Sequence, residues 1–351
     1  MDQSVRGAIW IIATGVVLVG AYFFREPLTQ FALALMLWLA IDELARFFSA
    51  RVKFLPHWLA IALSVIIVIA FVSLVTLVVT RNLGAFAGDA SLYESRLNAI
   101  AANLHASLGM RGPPPTVDAM LSQSDPADFV RQIGSAIQSV ASDTIFIFIY
   151  LGFIISAAET FPKRLDRIFR APSVRERAAR VFTSIRLSMS RYLWTQTIVS
   201  LIICALTYPT LLLIGLENAL FWTFIIFFLN YIPTIGSIIA VALPTAFALV
   251  QFPDLSRVAL TAAGVGVWQF VIGNFIQPRM TGDSLNLSAV VVLLSLSIWG
   301  IIWGIAGAFL AAPITVMVMI VLAQFKSTRW MAILLSADGR PTLRSAADEE
   351  K

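Results

Sequence analysis

Ala219-Leu220-Phe221-Trp222-Thr223-Phe224-Ile225-Ile226-Phe227-Phe228-Leu229-Asn230-Tyr231-Ile232-Pro233-Thr234-Ile235-Gly236 opens the tract that decides the fold of this 351-residue chain. The tract spans 219–324 and is apolar enough for a bilayer, yet polar helix breakers interrupt it twice. The first interruption is Asn230 to Gly236. The second is Gly273-Asn274-Phe275-Ile276-Gln277-Pro278-Arg279. Lipid offers no hydrogen bonds, so irregular backbone at membrane depth survives only inside protein or beside a water-filled cavity. Paired interruptions of apolar segments point to a transport site.

Composition agrees. The chain is 59% hydrophobic and 13% charged, against roughly 25% charged in soluble domains, and its mean hydropathy is +0.85. Its apolar runs are continuous rather than alternating, which excludes a transmembrane barrel. An all-α polytopic membrane protein is expected. The net charge of +5 fits cytoplasmic loops rather than a nucleic-acid partner. One cysteine, Cys204, and two histidines, His57 and His105, exclude an internal disulfide and a Cys- or His-based metal centre. No metal and no cofactor is called for.

Working outward, an apolar run from Ala8 to Phe24 ends at Arg25-Glu26-Pro27 without a small-residue cleavage site, so it reads as a retained first helix. Leu28–Ile41 forms a hairpin with it. Trp58–Thr80 and Asp143–Ala158 are further spans. Between them, Leu83, Phe86, Leu97, Ile100, Leu104 and Leu108 pattern a first amphipathic helix. Asp125-Pro126 starts a second, carrying Phe129, Ile133, Ile137 and Val140. Toward the C-terminus come Leu193 to about Gly215, Phe221–Leu229, Ile235–Val250, Val258–Ile276, and a long tract Leu285–Phe325 expected to turn near Gly300. About eight crossings result.

Residues 163–191 hold nine Lys or Arg, from Lys163 to Arg191, against Asp166 and Glu176. The positive-inside rule places this segment in the cytoplasm. The expected organisation is membrane helices over 1–80, an external helical domain over 81–142, a membrane helix over 143–161, a basic cytoplasmic segment over 162–191, a membrane core over 192–325 and a tail over 326–351. Both termini are then cytoplasmic, and both interruptions face the cytoplasmic side.

At the first interruption, Pro233 lacks an N–H and its ring clashes with the carbonyl of residue 229. This predicts a free Leu229 carbonyl beside Asn230, Tyr231 and Thr234, with Gly236 supplying a positive φ. Such a patch hydrogen-bonds a polar solute or coordinates a cation; it also reads as a Pro-kinked helix whose Asn satisfies the loosened turn. At the second, Gly273 and Pro278 loosen the helix, and Pro278 frees the Asn274 carbonyl. Gln269 and Gln277 share a face, while Asn274 lies elsewhere. Arg279 reads as a topology anchor or, facing a cavity, as a ligand fork. Polar residues inside spans are functional candidates by default. Gly300, Gly304 and Ala308 form a small-residue stripe suited to helix packing.

Catalysis finds no support: no Ser–His pair or carboxylate pair lies within spans, and no P-loop occurs. Proton coupling requires an intramembrane carboxylate, and Glu217 is the best candidate, although its place beside Leu216 and Asn218 near the external surface favours an interfacial loop acid.

The stretch Phe228-Leu229-Asn230-Tyr231-Ile232-Pro233-Thr234-Ile235-Gly236-Ser237, with Pro244, Gly273-Asn274-Phe275-Ile276-Gln277-Pro278-Arg279, Gly282, Leu285-Asn286-Leu287-Ser288, Trp299-Gly300, Trp303-Gly304, Gly307 and Ala312-Pro313, resembles the signature of the AI-2E (autoinducer-2 exporter) family of bacterial permeases. Ala289 departs from the proline common in relatives. The resemblance implies a multi-pass inner-membrane transporter. Some relatives export the quorum-sensing signal autoinducer-2, others are described as sodium/proton antiporters, and relatives form homo-oligomers. Three readings stand: a permease exporting a small polar metabolite, a Na⁺(Li⁺)/H⁺ antiporter, and a scaffold acting through the external domain. The scarcity of charge beside the interruptions favours the first.

Overall fold

The computed structural model describes residues 3–52, 54, 56–88, 90–107, 109, 143–158, 160, 164, 168, 171–281 and 286–340. The second external helix, most of 159–170 and the residues from 341 onward lie outside these. Regular structure among the described residues is helical, apart from one isolated bridge, Leu287 to Ser336.

In chain order the helices are α1 (Gln3–Phe23), α2 (Arg25–Arg51), α3 (His57–Gly88) and α4 (Ala90–Ser107). Then come α5 (Asp143–Ala158), α6 (Pro172–Ile214), α7 (Ala219–Leu229), α8 (Ile235–Gln251) and α9 (Leu255–Val271). A π-helical turn, Ile272–Ile276, leads into α10 (Gln277–Thr281), followed by α11 (Ala289–Ala323) and α12 (Arg329–Leu335). Among the described residues, four helical stretches are long and apolar enough to cross a membrane: His57–Asn82, Pro172–Ile214, Leu255–Met280 and Ala289–Ala323. The surface is apolar, unlike that of a soluble protein, and the mostly hydrophobic interior also holds polar side chains. Ile66 of α3 is 62% exposed, while Gln196 and Gln269 are 4% and 7% exposed. Apolar surface outside and polar side chains inside is the pattern of helices solvated by lipid.

Two compact units divide the chain. One comprises Met1–Ile61, Asp143–Thr195 and Met280–Lys351; the other comprises Ala62–Ser142 and Gln196–Arg279. In the first unit, α1 and α2 pack together and each packs on α11. The break between them falls at Phe24 (φ −96°, ψ 27°). Pro27 is tolerated because it sits in the first turn of α2, where an N–H has no intrahelical partner. Asp42, buried on α2, accepts from Arg46 at 2.5 Å and from Arg186 of α6 at 2.8 Å on each oxygen. Asn286, whose Nδ2 donates to Asp338 and to the Arg340 carbonyl at 2.8 Å each, ties the start of α11 to the segment after α12. The Arg340 N–H, and after it the Asn286 amide, hold the Asp338 carboxyl below its usual range.

The long apolar tract turns at Gly304 (φ 64°, ψ −142°), four residues beyond the expected Gly300. A Cβ on Gly307 would stand 1.9 Å from the Trp299 carbonyl oxygen. Eight residues of straight helix would span about 12 Å, so the chain folds back sharply between 289–303 and 305–323. This corrects the stripe reading. Gly300, Gly304 and Ala308 do not lie on one continuous helix, because Gly304 is itself the turn.

In the second unit, α3 runs past the apolar span to Gly88, so Leu83 and Phe86 belong to it rather than to the external helix. Packed buried residues include Val199, Ile203, Ile226, Ala240, Val265 and Ile272. Gln251, at the end of α8, donates to the Gly215 carbonyl and accepts from the Glu217 N–H, both at 2.8 Å. Arg96 of α4 donates to the carbonyls of Val250 and Gln251, where α8 leaves acceptors unpaired and its dipole favours a cation. Asp254 caps α9 through the Ser256 N–H at 3.0 Å, which holds its carboxyl below the usual range.

Candidate functional site

The first interruption is a tight turn between α7 and α8, which pack on each other. The Asn230, Tyr231 and Ile232 N–H groups continue helix-type bonds to Ile226, Phe228 and Leu229. The Leu229 carbonyl is therefore occupied, by the Ile232 N–H at 2.9 Å, and is not free as the sequence suggested. Positive φ falls on Thr234 (φ 61°, ψ −58°), not on Gly236. With Ile235 N–H donating to the Pro233 carbonyl at 2.6 Å, Thr234 centres a γ-turn of the rare, strained hand. A β-branched residue there is an outlier of the kind that collects at functional sites. Gly236 serves close approach instead: a Cβ there would lie 1.8 Å from the Leu229 oxygen.

Thr234→Gly should stabilise the turn by about 1 kcal/mol, since relief of roughly 1–3 kcal/mol of strain is offset by glycine's extra unfolded freedom. Thermal unfolding of the purified protein checks this; a lower midpoint would show that contacts of the threonine outweigh its strain.

The second interruption is not a break. The helix continues through the π-helical turn, with the Gln277 N–H donating five residues back to the Ile272 carbonyl. One extra residue in the turn accommodates Pro278, which has no N–H to give. Asn274 is exposed, and its amide donates to the Phe270 carbonyl of its own helix at 2.9 Å.

These two distortions bring a set of uncharged side chains together. Gln269 donates to Asn230 Oδ1 at 3.0 Å. Gln196 of α6 donates to the Asn230 carbonyl at 2.6 Å. Gln277 donates to Gln196 Oε1 at 3.3 Å. The Tyr231 hydroxyl pairs with Thr197 at 2.7 Å. Asn230 Nδ2 is buried and, among the described residues, lacks a hydrogen-bond partner. An unmet buried donor costs about 1–3 kcal/mol, and an acceptor oxygen of a solute would meet it.

Of the residues singled out in the sequence, the structure gathers Asn230, Tyr231, Gln269 and Gln277. Thr234, Asn274, Pro278 and Arg279 are exposed and join no bond of this cluster. Gly273 has open space around it. Glu217 sits in the loop between α6 and α7, its N–H held by Gln251. Gln196 and Thr197 escaped sequence reading. They lie in a regular, unbroken span, and only their polarity inside it marked them. Among the described residues, no group of His, Cys, Asp and Glu could hold a metal ion.

A helical fold with an apolar surface and amides gathered within it defines a polytopic membrane protein. The family model described as AI-2E family transporter matches residues 11–327, and the chain belongs to that family of membrane transporters. It is 27% identical over 328 residues to the AI-2 transport protein TqsA of Escherichia coli (strain K12), covering 92% of each chain. It is 26% identical to YhhT of the same organism over 334 residues, 94% of this chain and 93% of that one. A Borreliella burgdorferi protein is 30% identical over 208 residues, 59% of this chain and 57% of its own length.

Proposed function

We propose that this protein is an inner-membrane permease that exports a small, uncharged polar metabolite along a path lined by Asn230, Gln196, Gln269 and Gln277. The observation carrying this reading is the chain of amides that satisfy one another while one buried donor, Asn230 Nδ2, stays unmet. Hydroxyls and carbonyls of a solute exchange with such amide bonds at small net cost. A charged solute would lose its hydration among uncharged groups at a far larger cost. The name of TqsA supports an autoinducer-2-like solute, and cytoplasmic termini follow from the basic segment.

Proteoliposomes loaded with a furanosyl sugar test this. Asn230→Leu should lower flux at least about tenfold, the equivalent of one buried hydrogen bond to solute, with normal insertion. Glu217→Gln should leave flux unchanged. Unaltered flux in Asn230→Leu removes the path, and sodium-driven proton movement lost in Glu217→Gln would establish antiport instead.

A further inference from the structure

A groove in the second unit stands apart from the amide cluster. Its volume is about 480 Å³, within the ~300–1,000 Å³ usual for ligand pockets. Its walls are Leu74, Leu77 and Val78 of α3, Leu212 of α6, Leu216, and Phe221 at the start of α7. Its polar end carries Arg81, Asn82 and Asn218. Arg81 is the first charge after the apolar run of α3, where a span meets the headgroup region. It is exposed, and it makes no ion pair among the described residues. Asn218 begins α7 in the left-handed region (φ 56°) and makes no side-chain capping bond. Asn82 has one amide hydrogen committed to the Val78 carbonyl, at 2.6 Å.

We infer that this groove is a phospholipid site. One acyl chain lies along the leucine walls, and the phosphodiester of an anionic headgroup sits on the Arg81 guanidinium. Aliphatic walls ending in a cation at the membrane interface match an anionic phospholipid in both of its parts. The guanidinium fork suits paired phosphate oxygens. Asn218 supplies an amide donor beside it. The proposal is independent of the solute path.

The full chain in nanodiscs of phosphatidylcholine with a minority of phosphatidylglycerol, examined by native mass spectrometry after detergent washing, tests it. Wild type should retain a phosphatidylglycerol adduct. Arg81→Gln should lower that retention at least about tenfold, as loss of a charge-assisted bond predicts. Leu212→Trp, at a wall position 53% exposed, should remove the adduct by filling the groove. Should Leu212→Trp fail to fold, Leu77→Trp, at 46% exposure, fills the same space. Retention unchanged by Arg81→Gln overturns the headgroup contact, and retention unchanged by the tryptophan variants overturns the groove. A tryptophan variant that alters the oligomer's mass while lipid stays bound would make the groove a seat for a second copy, and the proposal fails.

Discussion

Gly236→Ala should cost more than the ~1–3 kcal/mol typical of an overpacked core. Its Cβ would meet the Leu229 carbonyl oxygen at 1.8 Å and the carbonyl carbon at 2.8 Å, with Ile232 Cβ at 3.2 Å. The first two are backbone atoms, so no rotamer change relieves the contact. The turn must open, and opening it separates α7 from α8 and displaces Asn230, which Gln196 and Gln269 hold. Gly273→Ala is the matched control. Nothing lies within 4 Å of its added Cβ, and alanine gains up to about 1 kcal/mol over glycine in a helix. Thermal unfolding in detergent should therefore separate the two variants by several degrees or more. Equal midpoints would mean that close approach is not what Gly236 provides.

Replacing Asp42 should be the second large effect. Its carboxylate serves both Arg46 and Arg186, and Arg186 also lies over the Trp38 ring at 5.6 Å. Removing one side of a buried pair costs about 3–5 kcal/mol because the partner charge is left without compensation. The arginine side chains are 39% and 35% exposed while that of Asp42 is 9% exposed. Solvent screening of the stranded guanidiniums brings the expectation for Asp42→Asn to about 2–3 kcal/mol. Arg46→Gln should cost under about 1 kcal/mol, since Arg186 still neutralises the carboxylate. Denaturant titration of both variants checks the order. Similar losses would show that Arg46 carries nearly all of the stabilisation and that Arg186 does not compensate for its loss.

The membrane class was legible because composition and run length are global properties. The unbroken apolar runs and the Asn230–Gly236 interruption each report a physical constraint that neighbours do not override. Local conformation was less legible. Both proline readings assumed that a missing N–H leaves a carbonyl free. The chain instead occupies the Leu229 carbonyl with a 2.9 Å bond in one case, and in the other a widened turn carries the helix on into Pro278. Gly236 was read for its φ and Gly304 for packing, whereas Gly236 and Gly307 are there for the Cβ they lack and Gly304 supplies a positive φ. Gln196 was hidden because a polar residue in a regular helix leaves no pattern of its own. Its role depends on which helices face it, a property of tertiary packing.

The π-helical turn sets the phase of the helix beyond it. An α-helix advances about 100° per residue, so Gln269 and Gln277, eight positions apart, would differ by about 80° on an unbroken α-helix. The single surplus residue absorbed at Ile272–Ile276 cancels most of that offset, and both glutamines reach the same cluster. A one-residue insertion between Ile276 and Gln277 would therefore preserve every polar side chain and still swing Gln277 off the cluster by about 100°. In this segment, chain length is as stringent a requirement as residue identity.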